Sequence, residues 1–309
     1  MARQRRCILA IVRPPLSRRL DAHLSKADEI NSGIRTQQTT VTLPREEKKS
    51  KPRGASPLPP PPSHTPNPLY LDLLEAAVCG RLIEDPSIHP AQEGYDADRR
   101  LRGWDWPQYA HTMIGVQRVR NLRVAVERVL QDGVPGDLLE TGVWRGGACI
   151  LMRGILAAYG VADRKVWVCD SFQGLPPPNT ELYPADAGDK THAFPELRIS
   201  IAEVRHNFSK YGLLDDQVVF VEGWFRDTLQ HVATEKLAVL RLDGDMYEST
   251  MDALNGLYHK LSPGGFLIVD DYVLPACRKA TEDFRSQHEI VEPIEIIDGV
   301  GAFWRRERP

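Results

Sequence analysis

Four carboxylates, in Leu240-Arg241-Leu242-Asp243-Gly244-Asp245 and in Leu267-Ile268-Val269-Asp270-Asp271, close two apolar runs that read as neighbouring strands. Acids gathered at one edge of a sheet repel one another unless positive charge sits among them. A hard cation with oxygen ligands meets that need, and magnesium or calcium is favoured over zinc because no His or Cys is close in sequence. A second constellation is Leu138-Leu139-Glu140-Thr141-Gly142-Val143-Trp144-Arg145-Gly146-Gly147, a strand running into a glycine-rich turn and then a helix. Glycine lets the backbone approach a ligand closely. The spacing is not G-x-G-x-x-G, and Glu140 would repel a pyrophosphate, so a zwitterionic, cationic ligand fits better. Asp170 ends the next strand, 23 residues past Gly147, where doubly wound folds place an acid that grips ribose hydroxyls.

Bringing these residues to one edge requires alternating strands and helices. Apolar runs at residues 137–141, 165–170, 218–222, 237–243 and 265–270, separated by helical patterns, predict an α/β fold with a doubly wound, mostly parallel sheet. A helix is expected over 69–82 and another over 112–130, the latter with Val116, Val119, Leu122, Val126 and Val129 on one face and Gly133 and Pro135 beyond its end. Ser200 with Glu203 and Ser249 with Asp252 read as capping boxes, and Ser262-Pro263-Gly264-Gly265 as a break before the next strand. Residues 294–297 and 301–305 predict a terminal antiparallel hairpin. The chain divides into a basic, proline-rich extension (1–66) expected to be disordered, helices before the core (67–134) and the core itself (135–309).

The formal charge of -3 is uneven. Residues 1–64 carry 13 Lys/Arg against 5 Asp/Glu, and the remainder is strongly acidic. An acidic body is a poor partner for nucleic acid and suits a metal or a sulfonium. No apolar run is long enough to span a bilayer. Five widely spaced cysteines without a C-x-x-C pair argue against a disulfide framework and a zinc site, and fit a reducing cytoplasm.

Residues 134–147, 241–250 and 269–272, with Trp106-Pro107 and 112–115 upstream, closely resemble the macrocin O-methyltransferase family, and the similarity runs from about residue 69 to the C-terminus. The resemblance implies the class I methyltransferase Rossmann-like fold and a magnesium-dependent O-methyltransferase that moves a methyl group from S-adenosylmethionine to a deoxysugar hydroxyl of a glycosylated natural product such as an antibiotic. It implies Asp243, Asp270 and Asp271 as magnesium ligands and Asp245 as general base. Glu140, Gly142, Asp170 and Ser171 would hold S-adenosylmethionine, with Gly223 and Trp224 nearby, Asp243 shared with the metal, and Thr112 and Met113 closing over it. Family members also suggest a homo-oligomer.

A carboxylate with a pKa near roughly 4 is a weak base toward a sugar hydroxyl, so a cation and Asp245 belong together in such a site. The aperiodic stretch 176–197 is expected to be a mobile lid. Three other readings stand beside this one: a metal-dependent methyltransferase of phenols or catechols, a cofactor-binding protein without turnover, and a nicotinamide oxidoreductase, which the absent G-x-G-x-x-G disfavours.

Overall fold

The structure, a computed structural model, describes residues 66–88 and 92–307. The proline-rich extension, apart from Pro66, and Cys7 lie outside the described residues. No helix among those described is long and apolar enough to cross a membrane.

Among the described residues, three α-helices precede the sheet. Helix α1 (Pro68–Val78) starts where the Asn67 side chain accepts the Leu69 amide and Pro68 occupies the first turn. A short α2 (Ala97–Arg102) is capped by Asp96, which the sequence patterns did not reveal. Helix α3 (Gly115–Gln131) buries the predicted stripe of Val116, Val119, Leu122, Val126 and Val129. It begins three residues later than expected, because Gly115 has φ +78 and Thr112 Oγ1 accepts the Ile114 amide, so the chain turns there before it coils.

Strands and helices then alternate: β1 (Asp137–Thr141), α4 (Gly147–Ala158), β2 (Val166–Asp170), α5 (Ile201–Lys210), β3 (Val218–Glu222), α6 (Phe225–Thr228), β4 (Leu237–Leu242), α7 (Tyr247–Leu257), β5 (Leu261–Val269), α8 (Pro275–Gln287), β6 (Glu295–Ile296) and β7 (Ala302–Arg305). The seven strands lie in the order β3-β2-β1-β4-β5-β7-β6. Strands β1 to β5 are parallel, and the terminal hairpin adds β7 and β6 antiparallel. Side chains alternate between two cores. Leu138, Val168 and Val239 pack with α1, α3 and α4, whereas Leu139, Leu240 and Leu267 pack with α7 and α8.

Two expectations need correction. Residues 262–265 do not precede β5 but lie within it, as an irregularity: Leu237 pairs with Leu261 and Val239 already with Phe266, so the Pro263 stretch bulges out of the ladder. Helix α7 does not start at Ser249. It starts at Tyr247 behind Met246, which supplies no side-chain cap, and Ser249 is buried inside the helix. The first two amides are satisfied from 61 and 62 residues away by Asp186, a partner no local pattern can reveal. Ser200 does cap α5, accepting the Glu203 amide at 3.2 Å.

Candidate active site

The order of strands reverses between β1 and β4, so the crevice beyond their carboxyl ends is the expected ligand site of this sheet. Three non-glycine residues with positive φ sit in loops that follow these parallel strands, Trp144 (46°), Phe172 (55°) and Asp245 (56°). Such conformations persist only where the surroundings enforce them.

The turn after β1 is built from backbone. Gly142 has φ +78, and a Cβ there would run into the carbonyl of Asp243, so glycine is what lets the ends of β1 and β4 close up. Asp170 fastens this turn from β2: its carboxylate accepts the amides of Val143 and Phe172, each at 2.7 Å, and its carbonyl accepts the amide of Gly223 at 2.9 Å. Burial raises the Asp170 carboxyl above its usual range, against the pull of those amides. Ser171 donates to the Gly174 carbonyl. The segment bearing Thr112 and Met113 crosses the start of α4, where the Gly147 amide donates to the His111 carbonyl at 2.8 Å. Gly142, Asp170, Gly223 and Thr112 are thus gathered around one turn, with Ser171 and Met113 next to Asp170 and Thr112 in the chain. Trp224 follows Gly223 and lines a pocket of ≈530 Å³ with residues 176–181 and Arg226. Glu140 points beneath the rim, 2% exposed, onto Arg241 and the Cys149 thiol.

The acids gather at the ends of β4 and β5. Pairing of Leu242 with Val269 puts Asp243 beside Asp270, and Asp243, Asp270 and Asp271 each offer a carboxylate oxygen within 4.8 Å of the others. Asp245 joins them through its amide, which donates to Asp271 Oδ2 at 3.1 Å.

Two arginines that the sequence reasoning did not recruit lie among these acids. Arg241 reaches Glu140, Asp243 at 2.9 Å and Asp270. Arg118 from α3 bonds the second Asp270 oxygen and, at 2.9 Å, Asp298. The signal for Arg241 was its place between Leu240 and Leu242 in a central strand, where a charge persists only if paired. Arg118 gave no such signal.

Even so, two guanidiniums face six carboxylates: Glu140, Asp243, Asp245, Asp270, Asp271 and Asp298. The excess shows in the acids themselves. Burial and then Asp243 and Asp189 push Asp245 up to about 7. Burial and then Asp245 and Asp243 carry Asp271 well above the carboxylate range, and burial and Asp270 raise Asp243. Oxygen donors with surplus negative charge are what a hard dication requires, so the residues present fit the ion.

Arg241→Met would strip the shared counter-charge from Glu140, Asp243 and Asp270 in a buried site. The expected cost is about 3–5 kcal/mol, read as a lower denaturation midpoint. An unchanged midpoint would show that Arg241 does not hold the acids together.

The expected lid, 176–197, is not featureless. It contains three short 3-10 turns at Pro184–Asp186, Thr191–Ala193 and Pro195–Leu197. It is held at Asp186 on α7, at Glu196, whose carbonyl accepts Trp144 Nε1 at 2.9 Å, and at Phe194, whose ring meets Trp106 edge-on.

Known proteins resemble this chain over most of its length. Residues 70–306 match the macrocin O-methyltransferase (TylF) family. The chain is 52% identical over 240 residues to 8-demethyl-8-(2,3-dimethoxy-alpha-L-rhamnosyl)-tetracenomycin-C 4'-O-methyltransferase of Streptomyces olivaceus, covering 77% of this chain and 92% of that one. It is also 52% identical over 245 residues to mycinamicin III 3''-O-methyltransferase of Micromonospora griseorubida, covering 77% and 96%. Among solved structures, the O-methyltransferase NovP superposes with a TM-score of 0.76 at 50% identity, over 78% of this chain and 99% of that one. The calicheamicin methyltransferase CalS11, at 17% identity and a TM-score of 0.53 over 83% and 99%, shares the fold. With the glycine turn, the acid after β2 and the aspartates after β4 and β5 in place, the chain belongs to the macrocin O-methyltransferase family and is an S-adenosylmethionine-dependent O-methyltransferase.

Proposed function

We propose that the chain methylates a hydroxyl of a deoxysugar on a glycosylated natural product such as an antibiotic, with magnesium held by Asp243, Asp270 and Asp271 and with Asp245 as general base. The observation that carries the proposal is the surplus of carboxylates at the ends of β4 and β5, Asp270 buried and Asp243, Asp245 and Asp271 half-buried, beside the turn that marks the ligand crevice. The sugar is supported by the relatives, named for methylation at the 4' position of a rhamnosyl tetracenomycin and at the 3'' position of mycinamicin III.

S-adenosylmethionine supplies a methyl group already activated by its sulfonium. Magnesium, when bound, supplies positive charge that makes a nearby hydroxyl more acidic. The protein's share is alignment and one proton. Gly142, Asp170, Ser171, Gly223 and Trp224 shape the cofactor's bed, with Thr112 and Met113 across it, and Glu140 acts from below by holding Arg241. Asp245 takes the hydroxyl proton while the oxygen attacks the methyl carbon and the carbon–sulfur bond breaks, leaving S-adenosylhomocysteine. Burial raises the Asp245 carboxyl and so makes it a better proton acceptor than an exposed one, while a dication on Asp243 would offset the part of the rise that comes from that neighbour. Holding both reactants in line replaces a bimolecular encounter, an advantage that reaches an effective molarity of about 10⁵ M or more.

The test is transfer of labelled methyl to a panel of deoxysugar glycosides, their aglycones and a catechol. Label on the sugar alone is the expected result. Label on the catechol would move the chain to phenolic acceptors, and no transfer to any acceptor despite cofactor binding would favour a binding protein.

A further inference from the structure

Helix α7 begins two residues after Asp245, and its first amides need acceptors that Met246 does not supply. Asp186 provides both. Its Oδ1 accepts the Tyr247 amide at 2.6 Å and its Oδ2 the Glu248 amide at 3.0 Å, with Asp186 only 2% exposed. A carboxylate in that place both caps the helix and complements its dipole. Asp186 belongs to the loop between β2 and α5, far in sequence from the helix that it caps.

What stands between β4 and this cap is Asp243-Gly244-Asp245-Met246. Asp245 holds a positive φ of 56°, a left-handed conformation that is uncommon outside glycine although Asp adopts it more readily than most residues. On one side its amide is tied to Asp271 Oδ2. On the other, α7 is pinned by Asp186. The same loop reaches the pocket: the Tyr183 ring lies 6.0 Å from that of Tyr247, and the Tyr183 amide donates to the carbonyl of Asn179, a pocket-lining residue. The pocket wall and the loop carrying Asp245 are therefore braced by one carboxylate.

We propose that Asp186 is a positioning residue for methyl transfer: by capping α7 it fixes the backbone of Asp245 and ties it to the wall of the pocket at residues 176–181. Asp186 touches neither reactant. The proposal rests on Asp245 acting as the base, and the experiment separates the two.

Asp186→Asn and Asp186→Ala are compared with Ser200→Ala, which removes a cap from α5, a helix whose Val204 and Phe208 pack in the other core from that of α7, and with Asp245→Asn. Readouts are kcat per folded enzyme, the Kd for S-adenosylhomocysteine and the Tm. All three cap variants should lower the Tm and leave the Kd unchanged. The kcat should fall about 10²-fold in Asp186→Ala, the scale of loss when reacting groups shift by about 1 Å, and less in Asp186→Asn, which keeps one acceptor. Ser200→Ala should keep its kcat. Normal kcat in both Asp186 variants, with only the Tm lowered, overturns the proposal. Asp186→Asn, which preserves size, decides the matter where Asp186→Ala does not fold. Near-normal turnover in Asp245→Asn would instead remove the base, whatever the Asp186 variants do.

Discussion

Asp245→Asn is expected to lower kcat by about 10²–10⁴-fold, the usual contribution of a general base, while the Kd for S-adenosylhomocysteine stays unchanged. The substitution is nearly isosteric, and Asn tolerates the left-handed backbone at this position better than most residues. The bond to Asp271 comes from the main-chain amide and survives. What disappears is the capacity to take a proton. Turnover and affinity measured on the same preparation separate this from misfolding, and a variant with near-normal kcat would exclude Asp245 as the base.

Asp271→Asn should raise the magnesium concentration needed for half-maximal activity by at least about 10- to 100-fold, since even substitutions behind a metal's direct ligands cost that much. It should also raise the Tm of metal-free protein. The sign follows from the direction of the shift. A carboxyl raised well above its ordinary range by burial and then by Asp245 and Asp243 costs stability when ionised, and that cost grows as pH rises from the carboxylate range toward the raised value. A neutral side chain removes it. Magnesium should then protect the variant less than the parent against heat, because the binding that stabilises the folded state is weaker. An unchanged magnesium titration would take Asp271 out of the ligand set.

The strands that position the site were readable because a buried parallel sheet demands uninterrupted apolar runs. Residues 137–141 and 218–222 coincide with β1 and β3 to the residue. The acids were readable because Asp243, Asp270 and Asp271 follow such runs directly. Their neutralisation was less so. Reasoning from sequence, four acids at one edge called for a cation, yet the structure first supplies Arg241 and Arg118, and only the remaining surplus argues for a metal. Arg118 lies 152 residues from Asp270, and its pairing depends on how α3 lies against the sheet. The cap of α7 was misread for the same reason: Ser249 and Asp252 form a plausible local motif, but the helix takes its acceptor from Asp186. Features set by neighbours in sequence were legible, and features set by neighbours in space were not.

The most direct test of the central claim uses protein stripped of metal, S-adenosylmethionine and a deoxysugar glycoside with free hydroxyls, with turnover followed as magnesium is restored. Almost no transfer is expected without the ion and saturable recovery with it, the new methyl lying on a sugar oxygen. Full turnover in the stripped protein would contradict it, since the surplus of acids around Asp243, Asp270 and Asp271 would then have a purpose other than holding a cation.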